Sequence, residues 1–133
     1  MKIDICKSIP KDTRKVIRAA IEASHAHAPM RAKKLKVEKV KKKKNYSGES
    51  TVTGNTATIR VKLDHDYIDT VFHECYHIHQ IGTGELLQVI GGFKWYGVFI
   101  PTAFYRVFYN LVPFEISAVR FAKKMCKKWE QLQ

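Results

Sequence analysis

The 133-residue chain has only three cysteines, Cys6, Cys75 and Cys126, an odd count without close spacing. That excludes a disulfide-built scaffold and implies free thiols in a reducing compartment. The N-terminus, Met1-Lys2-Ile3-Asp4-Ile5-Cys6-Lys7, carries no apolar run of signal-peptide length, so a cytoplasmic protein is expected. No transmembrane segment is expected either, since the longest uncharged run of the aromatic stretch, Trp95 to Tyr105, falls short of the roughly 20 residues a spanning helix needs. Carboxylates are scarce, with 12 Asp and Glu against 24 Lys and Arg for a net charge of +12. No aspartate follows Asp69 and no histidine follows His79. The length allows one core, and hence a single domain spanning 1–133 in which binding and chemistry share the same fold.

What is present is His73-Glu74-Cys75-Tyr76-His77, an H-E-x-x-H pentapeptide. On a helix the two histidines project from one face and can reach one metal ion, while Glu74 falls where its carboxylate meets a water held there. The flanking pattern is helical. Asp64, Asp66 and Asp69 can cap the helix or complement its positive end. Ile68, Val71, Phe72, Cys75 and Ile78 form one stripe for the core, and Thr70, His73 and His77 another.

Zinc in catalytic sites generally takes three protein ligands and a water. Position 83, where a longer zincin motif has a third histidine, is Thr83. His79 is turned roughly 200 degrees from His77 on a helix, and Glu85 follows Gly82-Thr83-Gly84 too closely to fold back. Glu115 follows Pro113 at the start of a helical pattern running to the C-terminus. Ala118 and Ala122, one and two turns on, permit close approach to the histidine helix. The remaining face is read as Val119, Met125, Cys126 and Trp129. Glu115 is therefore the expected third ligand.

H-E-x-x-H followed by Glu115-Ile116-Ser117-Ala118-Val119-Arg120-Phe121-Ala122 resembles the gluzincin zinc metallopeptidases. The E-x-x-A-x-x-F-A form is similar to that of short single-domain members, including the minigluzincins and the ImmA/IrrE group. The resemblance covers roughly residues 57 to 129. It implies a zincin-like fold, a Zn2+ cofactor held by His73, His77 and Glu115, Glu74 as general base, and a protein or peptide substrate. Lys123-Lys124-Met125-Cys126 departs from the apolar run that often follows in the ImmA/IrrE group, so a repressor substrate is not carried over.

The expected class is α+β, ordered as an N-terminal helix, a small antiparallel sheet, the H-E-x-x-H helix, a connecting region and a C-terminal helix. Ser8 and Pro10 introduce the first helix, with an apolar stripe of Val16, Ile17, Ala20, Ile21 and Ser24. Lys33 to Lys44 and Tyr46 to Val52 read as strands. Gly54-Asn55 supplies a hairpin turn into Ala57, Ile59, Val61 and Leu63, which alternate with polar residues. The connecting region, Leu86 to Phe114, is aromatic-rich and reads as core and cleft lining, with surface membrane contact as the alternative. Within it, Tyr96, Tyr105, Arg106 and Tyr109 are the candidate donors for an oxyanion, with Tyr109 the first choice.

The lysines from Lys33 to Lys44 and the cluster Lys123, Lys124, Lys127 and Lys128 can attract nucleic acid, acidic proteins or anionic membrane. No motif with defined base readout is present, so nucleic-acid binding there would be non-specific and salt-sensitive. The rival to a peptidase is a noncatalytic basic module with a structural metal, marked by a fourth protein ligand such as Cys126. An enzyme blocked by its own C-terminal segment is a third arrangement.

Overall fold

The computed structural model describes residues 1–40 and 46–132. In chain order these form β1 (Lys2–Ile5), α1 (Lys11–His27), β2 (Lys34–Lys39), β3 (Gly48–Thr53), β4 (Thr56–Val61) and α2 (Tyr67–Thr83). There follow β5 (Leu86–Val89), β6 (Gly92–Trp95), β7 (Val98–Pro101), α3 (Thr102–Val107), a 3-10 turn at Tyr109–Leu111 and α4 (Pro113–Gln131). The α+β class holds. Lys41 to Lys44, the densest part of the basic run, lie outside the described residues.

The first sheet has the order β1-β2-β4-β3. It is mixed, not antiparallel as expected: β1 runs parallel to β2, and β2 parallel to β4, while only β3 and β4 pair antiparallel. The cause is the crossover. Two parallel strands need a long connection, and α1 supplies it between β1 and β2. Alternation places Leu35, Val37, Ala57, Ile59 and Val61 on the buried face. Leu63 lies beyond the end of β4 and is exposed, so the strand stops one alternation short of the expectation.

Helix α1 closes that face with Ile17, Ala20, Ile21 and Ser24. Helix α2 contributes Val71, Phe72, Cys75 and Ile78 to the same core, with Ile68 packed at its margin. Its N-terminal carboxylates act indirectly: Asp66 stands at the cap position without a side-chain capping bond, and Asp64 Oδ1 instead accepts the Asp66 N–H at 2.9 Å. Asp69 lies in the first turn, where a negative charge suits the helix dipole. Helix α4 packs along α2 through Ala118, Ala122 and Met125, and Trp129 sits edge-on to Phe72 with ring centroids 6.0 Å apart. Val119, assigned to that face from sequence, is exposed.

The expected connecting region holds a second, antiparallel sheet, ordered β5-β6-β7. Its inner face, with Leu86, Phe93, Trp95 and Ile100, packs on Phe114, Val112 and Tyr105 in a separate small core. The β6–β7 turn is Tyr96-Gly97, with φ of 49° and 82°. Two positive φ values are what a two-residue hairpin turn matching the strand twist requires. Among the described residues no helix is long and apolar enough to cross a membrane.

Candidate metal centre

His73 and His77 stand one helical turn apart on α2, and Glu115 enters from the first turn of α4. Their ligand atoms all lie within 4.8 Å of one another, close enough to hold a metal ion. His77 Nε2 is 3.1 Å from His73 Nε2, and Glu115 Oε1 lies 3.0 Å from His73 Nε2 and 2.5 Å from His77 Nε2. Among the described residues the group has three members. Cys126 is elsewhere, its sulfur 3.7 Å from Asp69 Oδ1, and His79 turns away to the Pro29 carbonyl at 2.7 Å.

The ring orientation of His77 follows from its neighbours. Gln80 is fully buried, and its Nε2 donates to the Phe114 carbonyl at 3.1 Å. Its Oε1 therefore faces His77 Nδ1, 2.8 Å away, and can only accept. His77 Nδ1 must carry a proton, so in the neutral imidazole the Nε2 lone pair faces the cluster. A metal-ligating histidine is commonly held this way, so the donor set fits a divalent metal on chemistry as well as spacing. Tyr105 donates to Glu115 Oε2 at 2.9 Å, which leaves Oε1 for the histidines.

Burial by itself would raise the Glu115 carboxyl, but the hydrogen bonds and charges of His73 and His77 outweigh it and hold the group well below the usual carboxylate range. His77 is pulled down by burial, yet Glu115 and Glu74 leave it raised overall. Glu74 is buried beside the histidines. Desolvation raises its carboxyl, opposed by His77, His73 and the Ser50 hydroxyl. Burial and then the Glu115 charge push both Tyr105 and Tyr109 far up, keeping both phenols protonated.

These groups open on a cleft of about 860 Å³. One wall is β3, an edge of the first sheet, where a Cβ on Gly48 would press on Thr70 and come within 3.2 Å of Glu74 Cγ. The other wall is built by the second sheet, α3 and the 3-10 turn, including Phe93, Tyr105, Arg106 and Tyr109. No described lining residue lies beyond Glu115, so α4 forms part of the cleft's floor without its C-terminal end entering it.

Sequence reasoning thus named His73, Glu74, His77, Glu115 and Tyr109, and all five meet in one cleft. It missed Gln80, Ser50 and the bond from Tyr105. Gln80 had a usable signal, an amide three positions after a ligand on the same helix face. Tyr105 and Ser50 had none, because the pairing of distant elements brings them in. Comparison of the chain with family models, characterised proteins and solved structures gives no match.

Proposed function

We propose that this chain is a zinc-dependent metallopeptidase of the gluzincin type, hydrolysing peptide bonds with Glu74 as general base. The observation that carries the reading is a three-donor group, His73, His77 and Glu115, facing a cleft with a further carboxylate, Glu74, at its edge. Two imidazoles and a carboxylate suit zinc, which when bound supplies Lewis acidity toward a water and a carbonyl oxygen. A structural metal would need a fourth protein ligand, and Cys126, the named candidate, is engaged with Asp69.

Glu74 takes the proton of the attacking water and returns it to the leaving amine. The outer edge of β3, unpaired among the described residues, offers main-chain donors and acceptors to an extended peptide. Tyr109, kept protonated and lining the cleft, donates to the oxyanion as the carbonyl becomes tetrahedral. The free thiols fit the expected cytoplasmic setting.

The decisive experiment pairs two variants with elemental analysis and a peptide-library cleavage assay. Glu74→Gln retains stoichiometric zinc and loses about a hundredfold or more in hydrolysis, because an amide cannot accept the proton. Glu115→Ala loses the metal. A zinc-loaded wild-type chain that cleaves no peptide, or a Glu74→Gln variant of undiminished activity, overturns the reading.

A further inference from the structure

The second sheet presents an outer face that nothing among the described residues covers. Cross-strand register puts Leu87, Lys94 and Phe99 in one row, with Val89 and Pro101 in the next. This is the face opposite Leu86, Phe93, Trp95 and Ile100, which turn toward Phe114 and Tyr105. Leu87 and Phe99 are about half exposed, at 46% and 49%, and Ile90, at the β5–β6 turn, is fully exposed. An antiparallel sheet of a water-soluble domain ordinarily alternates polar residues outward. Here the outward positions are apolar around a single lysine.

Charge decides between occupants. No acidic residue lies between Glu85 and Glu115, whereas Lys94 and Arg106 do, and the chain as a whole carries +12. A second copy would set +12 against +12. Nucleic acid would satisfy the charge, but its polyanionic backbone and stacked bases offer little apolar surface for the aliphatic Ile90 and Leu87. An anionic lipid surface satisfies both, accepting aliphatic and aromatic side chains at the level of its headgroups while a lysine stem reaches the phosphates.

We propose that the outer face of the β5-β6-β7 sheet, with Ile90 at its tip, docks reversibly on anionic membrane. The opposite face of that sheet lines the cleft through Leu86, Gln88 and Phe93, so docking brings the cleft beside the bilayer. The surface is independent of the metal chemistry and stands if the peptidase reading fails.

Co-sedimentation with vesicles of phosphatidylcholine alone, and of phosphatidylcholine and phosphatidylserine in equal parts, tests it. Binding is expected to the mixed vesicles only and to weaken with salt. The exposed-site variant Ile90→Ser/Leu87→Ser lowers the partition coefficient roughly a hundredfold, and Lys94→Glu about tenfold. Unaltered far-UV circular dichroism and thermal unfolding establish that the variants fold. Wild-type binding by both variants overturns the proposal, as does equal binding to neutral vesicles. So does a concentration-dependent dimer in sedimentation velocity that Ile90→Ser/Leu87→Ser dissolves, since the face then belongs to a second copy.

Discussion

One buried amide joins the two helices of the metal cluster: Gln80 accepts from His77 Nδ1 at 2.8 Å and donates to the carbonyl of Phe114, the residue before Glu115, at 3.1 Å. The orientation of one ligand and the position of another are thereby coupled through a side chain that cannot itself touch the metal. Replacing Gln80 with leucine keeps the volume and removes both bonds. The expected outcome is a tenfold to hundredfold loss of zinc affinity with the three ligands intact. Competition with a chromophoric chelator measures it, and undiminished affinity would show that the coupling is incidental.

Tyr105 and Tyr109 are near neighbours, with ring centroids 5.2 Å apart, yet their expected roles differ. Tyr105 donates to the Glu115 oxygen that faces away from the histidines, so it positions a ligand. Tyr105→Phe is expected to weaken zinc retention. Tyr109→Phe is expected to leave zinc content unchanged and to lower kcat by about a hundredfold with little change in KM, the pattern of an interaction made only in the transition state. Zinc titration beside steady-state kinetics separates the two, and a reversed pattern would exchange the roles.

The unequal legibility of the fold has a physical origin. α1, α2 and α4 were readable because a helix declares its buried face through local spacing, as Ile17, Ala20 and Ile21 or Ala118 and Ala122 do. The ligands were readable because His73 and His77 share one helix and few rivals to Glu115 remained in the sequence. Strand direction is not local. β1 is four residues long and half charged, and its parallel pairing with β2 emerges only when α1 folds back between them. The β5-β6-β7 sheet had turn signals at Ile90-Gly91 and Tyr96-Gly97, but aromatic density obscured its alternation. That is also why the split into a packed inner face and a bare outer one was not foreseen.

Gly48 tests how tightly the cleft wall is set. A Cβ there would press on Thr70 and lie 3.2 Å from Glu74 Cγ and 3.3 Å from the Arg60 carbonyl, so the Thr70 side chain must turn aside or β3 must shift away from α2 to admit it. Gly48→Ala is expected to cost about 1–3 kcal/mol, as overpacking does, seen as a fall of several degrees in Tm. Because the crowded strand is the one nearest Glu74, peptide hydrolysis should fall while zinc stays bound. A variant of wild-type Tm would mean that the cleft wall admits the methyl group without strain between β3 and α2.

The three thiols provide a check on packing that needs no activity. Cys6 is exposed, and its hydrogen bonds with Ser8, 3.0 Å from sulfur to hydroxyl, lower its pKa. Burial, reinforced by Asp69, pushes Cys126 up to about 11. Burial pushes Cys75, enclosed between α1 and α2, up to about 12. Since the thiolate is the reactive form, alkylation near pH 8 should label Cys6 quickly, Cys126 slowly and Cys75 only on unfolding. Raising the pH should accelerate Cys126, whose thiolate fraction keeps growing toward its elevated pKa, far more than Cys6. Peptide mapping of a time course reads all three at once. Labelling of Cys75 in the native protein at the rate of Cys6 would contradict the packing of α1 on α2, and with it the frame that holds His73 and His77 in place.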